Sequence, residues 1–177
     1  MRKLVVYFHG YNSGPNSSKV QKLRRALPDV EVRSFDIDID PSISMRSLMY
    51  NIDMMLLDNL VSCTRIVFVG TSLGAWYAGT LATLYGCDAV LINPSLHPAN
   101  SLKKRGVDRH ICDEYSSLHL NKKHHFFVSL ADEVLDFSKE HMLLSMPRTR
   151  LYKEGSHRFD GPEFQDVIAC VRGIVDD

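Results

Sequence analysis

The chain lacks a charge surplus of either sign: 21 Lys and Arg balance 21 Asp and Glu across 177 residues. A neutral chain has no overall field to draw it to nucleic acid or to an anionic membrane surface, although a local basic patch remains compatible with that average. Long apolar runs are missing too. After Met1-Arg2-Lys3 the first run extends only from Leu4 to Phe8 before His9-Gly10. That is too short for a signal-peptide core, no small-residue cleavage site follows, and no stretch approaches the length of a membrane span. The four cysteines (Cys63, Cys87, Cys112, Cys170) have no C-x-x-C spacing. They read as reduced structural thiols, and the chain as a cytoplasmic protein. There is no helical H-E-x-x-H, and the His and Cys spacings between 110 and 125 match no zinc pattern, so neither a metal nor another cofactor is expected. Repeats, low-complexity tracts and linkers are absent. With 45% hydrophobic residues the sequence reads as one globular domain over 1–177, able to bury roughly 70% of the surface its unfolded chain exposes.

What is present is an alternation of two periodicities. Lys3–Phe8, Val30–Phe35, Arg65–Val69, Asp88–Ile92, His124–Leu130 and Arg150–Lys153 read as strands. Most are continuous apolar runs, as in a parallel sheet covered on both faces. Helical patterns fall between them over Ser17–Leu27, Ser44–Val61 and Leu73–Tyr85, with a last helix opening at Pro162. In the second, Met45, Leu48, Met49, Ile52, Met55, Leu56 and Leu60 form one stripe, with the methionines as core filler. In the last, Phe164, Val167, Ile168, Val171 and Val175 share a face. Such alternation predicts right-handed βαβ units: a three-layer α/β fold with a mainly parallel sheet of about six strands. Ser95 to Lys123 is left over, as a surface excursion or a very small cap.

Gly70-Thr71-Ser72-Leu73-Gly74 is the sharpest local signal. It joins a strand to a helix, the setting a G-x-S-x-G nucleophile elbow requires, where side chains at 70 and 74 would collide with the neighbouring chain. His9-Gly10-Tyr11 ends the first strand. A loop there can aim the Tyr11 N–H, beside that of Leu73, at a developing oxyanion, with Gly10 allowing close approach and His9 bracing the loop. Of eight histidines, His157 has the position of a general base, after the last strand and before the final helix. The orienting acid should follow a strand between serine and histidine. Asp132 lies nearest the end of His124–Leu130, with Asp136 an open alternative; after the fourth strand stands Asn93, whose amide stabilises an imidazolium less well. All these positions come just after a strand, so a parallel sheet gathers them at its carboxyl edge. The run Lys103-Lys104-Arg105 reads as a solvated face, with contact to an anionic substrate handle such as a phosphate as the alternative, and Trp76 as either pocket wall or core.

At these residues the sequence resembles the α/β-hydrolase superfamily, and more narrowly the small YqiA/YcfP-type bacterial esterases. The resemblance rests on H-G-Y-N-S-G-P (His9 to Pro15), G-T-S-L-G-A (Gly70 to Ala75), I-N-P-S-L-H-P (Ile92 to Pro98), D-E-V-L-D-F (Asp132 to Phe137) and S-H-R-F (Ser156 to Phe159). It departs at Ala75, where relatives often carry glycine, and at Tyr11, where phenylalanine is common. With only Ser95 to Lys123 left over, the length leaves room for a minimal cap or none. The resemblance implies an α/β-hydrolase fold and a triad of Ser72, Asp132 and His157. Its expected substrate is a small-molecule acyl ester or thioester, without nucleic acid, membrane span or cofactor. An acyltransferase or peptidase with the same triad, or a non-catalytic binding protein on this scaffold, remains open.

Overall fold

The computed structural model describes residues 2–37, 44–60 and 63–177. Six strands form one sheet: β1 (Arg2–Phe8), β2 (Glu31–Phe35), β3 (Cys63–Thr71), β4 (Asp88–Ile92), β5 (His124–Ser129) and β6 (Thr149–Tyr152). Every pairing is parallel and the order is β2-β1-β3-β4-β5-β6. The helices are α1 (Ser18–Ala26), α2 (Met45–Leu60), α3 (Leu73–Tyr85), α4 (Pro98–Lys104), α5 (Arg109–Cys112), α6 (His141–Leu144) and α7 (Phe164–Asp176).

Strand pleating explains the continuous apolar runs, because successive side chains point to opposite faces and both faces are covered. Leu4, Val6, Phe8, Phe68, Leu91 and Phe126 join α2 and α3 in one core. Val5, Tyr7, Val67, Val69, Val90 and Phe127 join α1 and α7 in the other. Each buried Val, Leu or Phe adds roughly 1.5–3 kcal/mol through apolar area removed from water.

The expected helices form, with two corrections. Met55 is 55% exposed, while Ile52 and Leu56 are buried. It precedes Leu56 by one residue, about 100° around the helix, and so leaves the stripe that meets the sheet. The expected end at Val61 lies outside the described residues, and nothing is said of the Leu60 side chain. Pro162 does not open α7. It stands two residues ahead, in tight turns where Phe164 and Gln165 donate to the carbonyls of Gly161 and Pro162 at 3.2 and 3.0 Å. The stretch 95–123 contains α4 and α5, and its Leu102, Ile111, Cys112, Tyr115 and Leu118 are buried in the α2–α3 core. Trp76 is buried beneath it, donating to the Ser116 carbonyl at 2.8 Å, and is therefore core. The four cysteines are all free thiols.

His124 opens β5 fully buried, with Nε2 3.3 Å from the Thr83 hydroxyl. Burial, reinforced by the nearby His119, pushes its pKa down from 6.5 to about 4. The folded protein therefore keeps the ring neutral where the unfolded chain protonates it. The resulting stability is complete above about pH 6.5 and is lost as pH falls toward 4, by about 3 kcal/mol in all. Urea midpoints measured from pH 7 to pH 4 should fall accordingly, and His124→Gln should remove most of that slope. An unchanged slope in the variant would assign the effect to other groups.

Candidate active site

The order β2-β1-β3 places the switch point between β1 and β3, whose connections leave toward opposite edges of the sheet. Open α/β sheets bind ligands outside the carboxyl ends of the strands at such a crevice. His9–Tyr11 follows β1 and Ser72 follows β3 at this point.

Ser72 adopts φ 55° and ψ −118°, a conformation that L-residues rarely occupy and that stores about 1–3 kcal/mol. Its surroundings permit nothing wider. A Cβ on Gly70 would lie 2.2 Å from the Gly74 carbonyl oxygen, and one on Gly74 would lie 2.2 Å from that of Phe8 and 2.3 Å from that of His9. The Ser72 N–H donates to the Ile92 carbonyl at 2.9 Å, and its own carbonyl accepts from Ser95 at 3.1 Å. The serine is thus tied to β4 on one side while its residue keeps 8% exposure.

On the same cavity, His157 Nδ1 lies 2.7 Å from Asp132 Oδ2; the carboxylate is wholly buried and the imidazole 16% exposed. Asp132 is held by its own turn, because Oδ1 accepts the N–H groups of Val134 and Leu135 at 2.7 and 2.8 Å. A carboxylate on Nδ1 fixes the proton there and leaves Nε2 as the basic nitrogen. Asp136 is turned elsewhere: it accepts from Ser138 N–H at 2.9 Å and lines a neighbouring cavity.

His9 is buried between three partners. The Ile37 N–H donates to Nε2 at 3.1 Å, Asp36 Oδ1 lies 3.3 Å from the same nitrogen, and Nδ1 lies 2.8 Å from the Gly10 carbonyl oxygen. This pins the loop that carries Tyr11. A Cβ on Gly10 would meet Ser72 Cβ at 3.4 Å, a measure of how closely that loop passes the serine. Leu73 begins α3 directly after the serine. Gly10, Tyr11, Ser72 and His157 all line one cavity of about 540 Å³.

Two positioning groups escaped the sequence reading. Asn93, fully buried at φ 41°, accepts the Ser129 N–H at 2.7 Å and donates to the carbonyls of Ser156 and His157 at 3.3 and 3.2 Å. It is a bracket for the histidine loop, and the N-P pair after β4 was the only hint. Glu133 accepts the His157 N–H at 2.9 Å, and nothing local to its sequence marks that contact. The run Lys103-Lys104-Arg105 is exposed at all three positions, as a solvated face is. Lys103 pairs with Asp113 at 2.7 Å, but Arg105 lies 5.4 Å over the Tyr11 ring and lines the Ser72 cavity. Among the described residues no helix is long and apolar enough to cross a membrane, and no group of three or more His, Cys, Asp or Glu could hold a metal ion.

The uncharacterised protein family UPF0227 has a sequence model that matches residues 4–171. A UPF0227 protein of Shewanella sp. (strain ANA-3) is 30% identical over 145 residues, covering 75% of this chain and 78% of its own. Alignments with the Shewanella oneidensis and Shewanella loihica relatives cover 65% of this chain and 62% of theirs. Among solved structures, alpha/beta hydrolase domain-containing protein 10 from mouse superposes with a TM-score of 0.74 at 16% identity, over 98% of this chain and 89% of that one. Est1E from Butyrivibrio proteoclasticus does so with a TM-score of 0.68 at 12% identity, over 97% and 86%. The fold is that of the α/β hydrolases.

Proposed function

The chain belongs to UPF0227, and from that premise we propose that it is a serine hydrolase of small acyl esters or thioesters. The observation that carries the reading is the Asp132–His157 pair at 2.7 Å, facing a cavity that it shares with a serine held in a strained elbow. Likeness in fold to esterases supports it.

In the proposed reaction the Ser72 hydroxyl attacks the acyl carbonyl while His157 Nε2 takes its proton. The N–H groups of Tyr11 and Leu73 stabilise the tetrahedral oxyanion. Collapse breaks the bond to the leaving oxygen or sulfur, which receives the proton from His157, and leaves the acyl group on Ser72. Water then repeats the sequence and releases the acid. Asp132 holds the imidazole and stabilises its cation, while Asn93 and Glu133 position the loop that bears it.

The reading is tested by labelling the protein with a fluorophosphonate probe. The natural sequence should be labelled, and Ser72→Ala, folded by circular dichroism, should not. Equal labelling of the two would place the nucleophile elsewhere, and no labelling of either would remove the enzyme reading.

A further inference from the structure

The Ser72 cavity has an uneven lining that ester hydrolysis alone does not need. Lys19 lies in the first turn of α1 and is 8% exposed. Among the described residues it makes no hydrogen bond and no ion pair within 4 Å, although Asp160 is near enough for its charge to favour the ammonium. Its stem is buried and burial pushes its pKa down, while the ammonium nitrogen itself is not among the buried unpartnered atoms and so stays open to the cavity's water. Two further cations line the same cavity from separate elements: Arg105 from the stretch after α4, and Arg158 beside His157. The α1 N-terminus adds to them. Ser17, Ser18 and Lys19 all line the cavity, and the Ser17 side chain makes no capping bond. The first N–H groups of a helix lack intrahelical acceptors and, with the macrodipole, favour an anion.

Two carboxylates line the cavity with these cations, and Glu163 acts on Lys19 from outside it. Glu133 is engaged by the His157 N–H, and Asp160 is exposed at the rim. None closes on the Lys19 ammonium. In a chain of zero net charge, three cations from three elements around one serine are a local arrangement rather than a reflection of overall field.

We propose that the Ser72 cavity takes esters bearing an anionic group, a carboxylate or a phosphate, seated on the unpaired Lys19 ammonium, with Arg105 and Arg158 around it, and on the N-terminal turn of α1. The inference rests on the serine-hydrolase reading and adds its substrate class. A bound anion gives Lys19 the partner it lacks, and a charge-assisted contact in a confined cavity favours substrates that can supply it over neutral analogues.

Matched esters test it. Mono-(4-nitrophenyl) glutarate and 4-nitrophenyl valerate differ in a terminal carboxylate. The butyrate ester of glycerol 3-phosphate and monobutyrin differ in a phosphate on the alcohol side. At least one anionic ester should exceed its neutral match in kcat/KM by about tenfold or more. Lys19→Met should bring that ratio close to one, and Arg158→Ala, at an exposed position, should lower it severalfold. Ratios near one for both pairs in the natural protein overturn the proposal, as does a preference that survives in Lys19→Met. Should Lys19→Met fail to fold, the natural protein's ratios and Arg158→Ala decide. The two readings fail differently: loss of Ser72-dependent turnover on every ester removes the hydrolase, whereas turnover without anion preference removes only the substrate class.

Discussion

Ser72→Ala is expected to lower kcat for ester hydrolysis by about 10⁶-fold, and His157→Ala by nearly as much, the scale on which serine-hydrolase triads lose activity when dismantled. The two losses should not add. Without the hydroxyl the imidazole has no proton to take, so Ser72→Ala/His157→Ala should be no slower than either single variant. Asp132→Asn should cost less, about 10⁴-fold, because an amide at that place favours the wrong tautomer of His157 while the nucleophile and base remain. Asp136→Asn should stay close to the natural rate, since that carboxylate bonds Ser138 and not the histidine. Burst and steady-state kinetics on a 4-nitrophenyl ester measure all five variants. If Asp136→Asn is crippled and Asp132→Asn is not, the acid has been misassigned. If the double variant falls far below both singles, Ser72 and His157 act independently and the shared mechanism is wrong.

The second large effect is on folding. Gly74→Ala is expected to cost about 4 kcal/mol or more, the range reserved for substitutions that force backbone apart. Its Cβ would sit 2.2 and 2.3 Å from the carbonyl oxygens of Phe8 and His9, and no side-chain rotation relieves a clash between backbone atoms. The pressure would fall where β1 ends and the His9–Tyr11 loop begins, so the helix must lift or the strand must shift. Gly86→Ala supplies the contrast. Gly86 caps α3 at φ 65° with open space around its Cβ, so the cost there is the left-handed conformation alone, about 1 kcal/mol. Urea denaturation of both variants at neutral pH would separate them. Equal midpoints would mean that the elbow relaxes easily and that the tight fit of α3 against β1 is not a constraint.

Much of the fold was legible because its signals are local. A strand buried on both faces must be apolar along its length, so all six strands could be read to within about two residues, and the helices between them by the 3.6 period. The elements that escaped were α4, α5 and α6, each of seven residues or fewer. A helix that short shows no full amphipathic period and is marginal alone. Leu102, Ile111 and Leu143 hold these turns by reaching the core, and that contact is invisible until the chain has folded. Met55 failed for the opposite reason: its type fitted the stripe, but the sheet meets only a narrow face of α2.

By itself the sequence determined where the chemistry-bearing residues fall along the chain. Gly-x-Ser-x-Gly after a strand is a steric requirement met by neighbouring residues, and positions after parallel strands must gather at one edge. Only the tertiary structure decided which groups touch. Asp132 and Asp136 stand four residues apart on one loop, and either could have reached the histidine. The path of that loop, set by Asp132 bonding the N–H groups of Val134 and Leu135, chose one. The bracket of Asn93 across to Ser156 and His157, and the burial of Lys19 beside the serine, likewise depend on segments more than fifty residues apart in the chain. Overall neutrality ruled out a long-range field and left open where individual charges would lie; folding placed three cations around one cavity.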